Sequence, residues 1–238
     1  MLFRSHIMRS RFSMVVLIGA EKGGTGKTTL AINLAALRAS KGRDVLLVDT
    51  DKQGSASDWA AVRQEETSRQ RIPSVQVFGK QVTAQLEDLS ERYDDLLVDA
   101  GGRDSVELRA AMVVADRVFV PLQASQFDVW TLERMNELVE QAQALNPKLQ
   151  AQVFINRASP HPQVHEAKEA TEMLEDFEYL EFGGAVIHDR IAFRRSASRG
   201  LAVTEGESAG SKADREIHDL YRAIFEKTSS THAEAPRS

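Results

Sequence analysis

The 238-residue sequence contains no cysteine. This absence excludes disulfides, thiolate-held iron–sulfur clusters and cysteine nucleophiles. Long apolar runs are missing as well: residues 14–18 and 110–115 form short runs, whereas a membrane-spanning helix needs about 20 apolar residues. The first 13 residues carry arginines but no apolar core and no small-residue cleavage site, so they do not resemble a signal peptide. We therefore expect a cytoplasmic protein.

Neither sign of charge dominates the composition. Lys and Arg number 30 and Asp and Glu number 35, which gives a formal net charge of −5, and 42% of residues are hydrophobic. These values are ordinary for one globular domain. Mild acidity disfavours a uniformly basic nucleic-acid-binding protein but allows a local basic patch. We expect a flexible basic leader at residues 1–13, one folded domain at 14–227 and a disordered tail at 228–238.

Short apolar runs alternate with helical patterns along this domain. A run of four or five apolar residues suits a strand buried on both faces of a parallel sheet. Apolar positions three and four apart indicate a helix, as at 129–145, where Trp130 and Leu145 belong to the apolar set. The alternation predicts an α/β fold with a doubly wound, mostly parallel sheet, helices on both faces and ligands at the carboxyl ends of the strands. The predicted strands are 14–18, 45–48, 96–98, 117–120, 153–155 and 185–187, and the predicted helices are 28–40, 57–66, 83–92, 106–114, 129–145, 164–177 and 212–227.

The most informative segment is 14–34, where a predicted strand leads through a glycine-rich turn into a predicted helix. Glycines in such a turn allow unusual backbone angles and let main-chain N–H groups come close to a phosphate. The helix that follows directs its positive dipole end at the same anion. A phosphate-binding loop of this kind places Lys27 on the β- and γ-phosphates and the Thr28 hydroxyl on Mg²⁺. The residues expected to contact the nucleotide are Gly23, Gly24, Thr25, Gly26, Lys27, Thr28 and Thr29.

One position departs from the usual spacing of a phosphate loop. Glu21 stands where glycine is expected, and a second lysine, Lys22, follows it. The string K-G-G-T-G-K-T-T at 22–29 resembles the deviant Walker A motif of the ParA/MinD superfamily of P-loop ATPases. The resemblance implies that Lys22 reaches across the interface of a homodimer to the partner's nucleotide. A second cation near the phosphates is favoured only where enough negative charge is present, so ATP would hold the dimer together.

Two carboxylates follow the next predicted strand. Asp49 and Asp51 lie two residues apart, so in an extended chain both side chains point to one side and can face the phosphate loop. The segment resembles the family's second signature, Asp-x-Asp followed by Pro-Gln-Gly, with Lys52 in place of the proline. The resemblance implies that Asp51 orients or activates the attacking water. It also implies that Asp49 supports Mg²⁺ through water.

A third apolar run ends in Asp99, followed by small residues that include Gly101 and Gly102. An apolar run that ends in aspartate is a weak signal alone, but here it is third in an ordered series. It resembles a Walker B motif, whose aspartate holds the Mg²⁺ shell. The two glycines would leave room near the γ-phosphate for a switch loop. The resemblance also suggests that Asn156, directly after a predicted strand, contacts adenine. A purely structural role in the turn at the end of that strand is equally compatible with the sequence.

Several features of other branches of the superfamily are missing from this sequence. The absence of cysteine excludes the iron–sulfur members. Residues 228–238 have neither an apolar face nor a basic cluster, so a membrane-attaching helix of the MinD kind is not expected. The first predicted strand begins at residue 14, without the helix-turn-helix that precedes it in long ParA proteins. The chain therefore resembles a small, plasmid-type ParA partition ATPase.

ParA-type proteins bind DNA without sequence preference once ATP has dimerised them, and the resemblance implies association with the nucleoid in that state. Residues 187–200 hold four arginines against a single acid, Asp189, and dimerisation would double this basic patch. The alternative is a solvated helix face with internal ion pairs, and Arg190 could instead serve the dimer or the nucleotide. The candidate DNA-binding residues are Arg190, Arg194, Arg195 and Arg199.

The leading hypothesis is a DNA-segregation ATPase with weak basal activity that a centromere-binding, ParB-type adaptor stimulates. A first alternative keeps the ATPase but changes the cargo to a conjugation complex, a chemoreceptor cluster or another assembly. A second is a P-loop metabolic ligase related to dethiobiotin synthetase, which Lys22 and the Asp49–Asp51 pair disfavour. A third is a nucleotide-gated interaction module without useful hydrolysis, which Asp51 disfavours.

Overall fold

A computed structural model describes residues 13–65, 69–102, 104–123, 129–159 and 166–226. The predicted tail lies outside the described residues, as does the predicted leader except Ser13. The strands are β1 (Met14–Ala20), β2 (Val45–Asp49), β3 (Ser74–Gln76), β4 (Asp95–Gly102), β5 (Arg117–Gln123), β6 (Gln150–Ala158) and β7 (Glu181–His188). The helices are α1 (Lys27–Ser40), α2 (Ser55–Glu65), α3 (Val82–Ser90), α4 (Val106–Met112), α5 (Val129–Gln143), α6 (Glu166–Leu174), α7 (Ile191–Ala197), α8 (Val203–Gly206) and α9 (Lys212–Phe225).

The seven strands form one sheet in the order β3-β2-β4-β1-β5-β6-β7, and every adjacent pair is parallel. Alternate residues of β1 serve opposite faces: Val16 and Ile18 belong to one apolar cluster, and Val15 and Leu17 to the other. Helices α1, α2, α7, α8 and α9 contribute to the first cluster, and α3 to α6 to the second. The predicted doubly wound α/β fold is confirmed.

All six predicted strands lie within observed ones. The edge strand β3 and the short helices α7 and α8 were not predicted. Helix α5 ends at Gln143 rather than residue 145, and its buried face is Leu132, Met135, Leu138, Val139 and Ala142. Trp130 is 79% exposed and Leu145 is 73% exposed, so these two members of the predicted apolar set do not pack in the core. Trp130 lies in the first turn beside the phosphate loop, and Leu145 lies beyond the last turn of the helix.

The strand order brings the predicted motifs together. Strand β4 lies between β1 and β2, and Asp99 is in register with Ile18 on one side and Asp49 on the other. The carboxyl ends of these three strands therefore face the loop that joins β1 to α1. Within the described ranges, no helix combines the length and apolarity needed to cross a membrane.

Candidate nucleotide-binding site

The loop between β1 and α1 adopts a backbone shape that glycine favours. Gly24 has φ of 75° and Gly26 has φ of 88°, values that L side chains rarely adopt. Gly26 caps α1 in the left-handed conformation, and its carbonyl accepts the N–H of Leu30 at 3.1 Å. Helix α1 begins at Lys27, so its unpaired N-terminal N–H groups open onto the loop. This geometry suits the binding of a phosphate group.

Lys27 is buried at the base of the loop, with 7% of its surface exposed. Its Nζ donates to the backbone carbonyl of Lys22 at 3.2 Å. Burial lowers the pKa of the Lys27 ammonium, while the nearby charges of Asp99 and Asp51 oppose that shift. The cation therefore sits between the loop and two carboxylates, where the predicted role on the phosphates requires it.

Asp99, in β4, contacts Thr28, in the first turn of α1. The Thr28 hydroxyl donates to Oδ2 of Asp99 at 2.6 Å, and Oδ1 is buried without a hydrogen-bond partner among the described residues. Burial raises the pKa of Asp99 to about 7, with a smaller contribution from the charge of Asp49. An unpartnered carboxylate oxygen beside a threonine hydroxyl is a donor set that suits Mg²⁺. The described residues contain no group of three or more His, Asp or Glu side chains that could hold a metal, so phosphate and water would supply the other ligands.

The two aspartates after β2 have different surroundings. Asp49 is fully buried, and its two oxygens accept the backbone N–H groups of Asp51 and Ser57, each at 3.0 Å. These bonds shape the turn that leads into α2. Asp51 is half-buried, lines the cavity beside the loop and accepts the N–H of Gln53 at 3.0 Å. The carboxylate of Asp51 thus borders the cavity, whereas that of Asp49 lies behind it; their proposed chemical roles stay predictions.

The end of β4 passes close to the phosphate loop. A Cβ built on Gly102 would lie 3.1 Å from the N and Cα atoms of Gly23, so a side chain there would crowd the loop backbone. A Cβ on Gly101 would lie 3.5 Å from Cγ of Asp51. The glycines after Asp99 therefore let three segments of the site approach one another.

Asn156 supports the loop from the end of β6. It is 3% exposed, and its Nδ2 donates to the Thr25 carbonyl at 2.6 Å. The adenine contact predicted for Asn156 stays a prediction. The next residue, Arg157, was not anticipated: its backbone has φ of 56°, and its Nη1 donates to the Gly24 carbonyl at 2.9 Å. The only signal for it was its position directly after Asn156.

A cavity of about 610 Å³ opens beside the loop, within the usual size range of small-molecule sites. One end is the phosphate loop with Asp51. The wall between α2 and α7 is apolar, and the rim near the end of β7 is polar. The apolar lining includes Ile32, Trp59, Val62, Phe193 and Ala197, and the polar rim includes Asn156, Arg157, His188, Asp189 and Arg190.

The sequence matches the CobQ/CobB/MinD/ParA nucleotide binding domain family over residues 16–203. The chain belongs to this family. That match spans the phosphate loop, both carboxylate segments and the β6 end, so the predicted resemblance to ParA/MinD proteins is confirmed.

Relatives of this MinD/ParA-family chain include two named "Maintenance of carboxysome distribution protein A". The one from Gloeobacter kilaueensis is 33% identical over 92% of this chain and 95% of its own length. The one from Halothiobacillus neapolitanus is 26% identical over 92% of this chain and 99% of its own length. A solved plasmid partition protein from Borrelia burgdorferi has a TM-score of 0.61 and 19% identity, covering 91% of this chain and 99% of that one. This last likeness shows the shared fold.

In this MinD/ParA-family chain, Lys22 is not among the residues that line the main cavity. It is half-buried and lines a separate cleft with Glu21, Trp130 and Arg134. The lysine that the family resemblance predicts to reach a partner's nucleotide therefore borders this cleft, beside the exposed Trp130.

The four predicted DNA-binding arginines are not equivalent. Arg190 bonds Glu216 through Nε at 3.0 Å and Nη2 at 2.6 Å. Arg195 pairs with Glu207 at 2.5 Å. Arg194 lies 3.8 Å from Asp189, and Arg199 is exposed without an ion pair in the described ranges. Counting acids within 187–200 missed Glu207 and Glu216, which the fold brings in from later segments.

Proposed function

We propose that this chain is a ParA-type positioning ATPase. It binds ATP with Mg²⁺, dimerises on ATP, associates with nonspecific DNA in that state and hydrolyses ATP faster when a partner protein binds. The observation that carries the proposal is the hydrogen bond from Thr28 to the buried Asp99, beside a glycine loop with two lysines. It supports nucleotide chemistry rather than a structural turn, because Oδ1 of Asp99 is buried without a protein partner among the described residues.

Different residues of the site bind the phosphates, hold Mg²⁺ and position the attacking water. Lys27 and the N–H groups of the loop bind the β- and γ-phosphates, and Thr28 and Asp99 would hold Mg²⁺. Bound there, Mg²⁺ supplies charge neutralisation on the phosphates. Asp51, on the cavity wall, orients the attacking water, and Asp49 fixes the turn that carries it. Hydrolysis by this route depends on positioning, which is why a low basal rate is expected.

Dimerisation depends on Lys22. Lys22 borders a cleft that is separate from the main cavity. From there the ammonium group of each subunit would reach the nucleotide that the other subunit binds. ATP supplies more negative charge than ADP does, so the ATP-loaded form is favoured as the dimer. The exposed Trp130 beside Lys22 adds apolar surface that such a contact would cover.

The cargo has two candidates. Plasmid or chromosomal DNA, carried through a centromere-binding ParB-type adaptor, is the first candidate, supported by membership in the CobQ/CobB/MinD/ParA family and by the fold shared with the Borrelia burgdorferi partition protein. A protein assembly such as the carboxysome is the second candidate. It is favoured by two relatives with that name, which this chain matches over 95% and 99% of their lengths. In both cases the nucleotide cycle is the same and the adaptor differs.

The test is the size of the full chain, measured by light scattering with ADP–Mg²⁺ and with ATP–Mg²⁺, followed by addition of a random-sequence DNA duplex. We expect about 26 kDa with ADP and about 53 kDa with ATP, which are one and two chains of 26.4 kDa. Asp51→Ala should bind ATP, persist as a dimer on DNA and lose most turnover. Lys22→Ala should bind ATP but remain a monomer.

Two results would contradict the proposal. One is a wild-type chain that stays monomeric with ATP–Mg²⁺ and does not bind DNA. The other is an Asp51→Ala variant that turns over ATP at the wild-type rate, which would remove Asp51 from the hydrolytic step.

A further inference from the structure

Arg134 on α5 bridges two carboxylates that belong to different parts of the nucleotide site. Its Nε lies 2.9 Å from Oε1 of Glu21, in the phosphate loop. Its Nη2 lies 3.2 Å from Oδ2 of Asp104, two residues beyond the end of β4. A planar guanidinium with several donors suits such a two-sided contact, and a lysine ammonium does not reproduce it.

Both carboxylates are close in sequence to backbone that is expected to lie beside the phosphates of a bound nucleotide. Glu21 directly precedes Lys22 and stands where the usual phosphate loop has glycine. Asp104 lies two residues after Gly102, whose backbone approaches that of Gly23. A carboxylate beside an anion-binding loop opposes phosphate binding unless a cation offsets its charge, and Arg134 provides that cation to Glu21.

Stabilisation of the fold does not explain the bridge. The Arg134 side chain is 53% exposed, and ion pairs that are this exposed contribute little to the stability of a fold. Asp104 has a second partner, Arg109, which bonds both of its oxygens at 2.5 and 2.7 Å. Those bonds, with a further contribution from Arg134, hold the pKa of Asp104 below its usual value, so it is charged at neutral pH. We therefore expect the bridge to affect the distance between the phosphate loop and Asp104 more than the free energy of unfolding.

We propose that Arg134 is a positioning residue for ATP hydrolysis, holding the phosphate loop and the segment after β4 at a fixed spacing. The inference rests on the proposed function. The bridge meets the loop at its Lys22 end, whereas Asn156 holds the loop at Thr25. Loss of the bridge should therefore lower the rate of hydrolysis at the γ-phosphate more than it lowers the affinity for ADP, which lacks that phosphate.

The experiment compares Arg134→Gln with Arg109→Gln in the full chain. Arg109 is the matched control because it is also a half-exposed arginine on Asp104 but does not touch the phosphate loop. For Arg134→Gln we expect kcat for ATP to fall about tenfold, with KM and the Kd for ADP each within about twofold of wild type. Arg134→Lys should recover part of kcat, and Arg109→Gln should keep the wild-type rate. The thermal midpoints of all variants should agree within about 3 °C.

Three results would overturn the inference. They are a wild-type kcat in Arg134→Gln, an equal loss of kcat in both glutamine variants, or a large fall in thermal midpoint shared by Arg134→Gln and Arg134→Lys. A wild-type chain without turnover would instead contradict the proposed function. In that case the ratio of ATP to ADP affinity still tests the bridge, which predicts a lower ratio in Arg134→Gln than in Arg109→Gln.

Discussion

Burial of the Asp99 carboxylate costs folding free energy, but it places a carboxylate oxygen where a cation bound with nucleotide would lie. Its carboxyl group is 1% exposed, has a hydrogen bond from Thr28 and leaves Oδ1 without a partner among the described residues. Burial is the main reason that its pKa rises to about 7. A cation bound with nucleotide would stabilise the charged form and offset this cost.

Asp99 gives a prediction about stability and pH. Burial raises the pKa of Asp99 in the folded chain to about 7, from the ordinary value of 3.8 for a solvated aspartate. Between these values the unfolded state binds fewer protons, so stability falls as pH rises. Without nucleotide and with EDTA, we expect wild type to lose about 2 kcal/mol relative to Asp99→Asn between about pH 5 and about pH 7. Urea unfolding at several pH values measures this; a constant difference between the two proteins would contradict it.

Individual site residues differed in how far the sequence could place them. The loop glycines, Lys27, Thr28 and Asp99 follow a fixed motif order, and the structure brings them together. The bonds of Asn156 to the Thr25 carbonyl and of Arg157 to the Gly24 carbonyl could not be foreseen. They join segments more than 130 positions apart and depend on the exact path of the backbone after β6.

At the level of elements, α2 forms the apolar wall of the cavity, and Arg63 ties it to α8. Arg63 is 2% exposed, and its guanidinium bonds both oxygens of Glu205 at 2.7 Å. It also donates to the carbonyls of Gly200 and Gln70. Burial opposes ionisation of Glu205, but the bonds from Arg63 and the Ala202 N–H lower its pKa overall. The pair fixes the helix that carries Trp59.

We expect Arg63→Leu to destabilise the chain by about 3 kcal/mol, because it leaves a partly buried carboxylate and two carbonyls without their donor. The loss should shrink as pH falls below about 4.5, where Glu205 becomes protonated in the unfolded chain and then in the folded one. Arg69→Leu is the control, since Arg69 is exposed and donates to the Glu205 carbonyl at 3.5 Å rather than to the Glu205 carboxylate. Urea unfolding gives the free energy of unfolding of both variants. Equal values for Arg63→Leu and Arg69→Leu would show that the Arg63–Glu205 pair does not stabilise the fold.

Elements with a strong apolar pattern were predictable, and elements that depend on neighbours were not. The predicted strands are buried on both faces and read as continuous apolar runs. Strand β3 has a single apolar residue, Val75, in three positions and forms only because β2 offers it an edge. Helix α8 has four residues and is held by Glu205 and by Asn33, whose Oδ1 accepts the N–H of Val203 at 2.7 Å. Such short helices have too few turns to show a period.

For the whole molecule, net charge gave little guidance to partners. The chain is acidic at −5, yet four arginines follow β7, and the fold pairs them unequally. Arg190 and Arg195 are engaged by Glu216 and Glu207 at hydrogen-bond distances, which removes part of the positive potential. Arg194 and Arg199 remain the better candidates for phosphate contacts, because Arg194 is 67% exposed with only a 3.8 Å contact to Asp189, and Arg199 is exposed.

The last prediction tests that surface in the ATP-loaded protein. Arg194→Ala combined with Arg199→Ala should weaken binding to random-sequence DNA about tenfold at low salt, because each lost phosphate contact reduces counterion release. The slope of log affinity against log salt should become shallower by at least about 1, while ATP affinity stays the same.

The control is Lys148→Ala with Lys168→Ala, two exposed lysines on other parts of the surface, each paired with one acid. Both double variants lower the net charge by two, from −5 to −7. An equal loss of DNA binding in the two would mean that overall charge is responsible. Unchanged binding in the arginine variant would place the DNA contact on another face. Loss confined to the arginine variant, with a shallower salt slope, would locate that contact at the segment after β7, next to the rim of the nucleotide cavity.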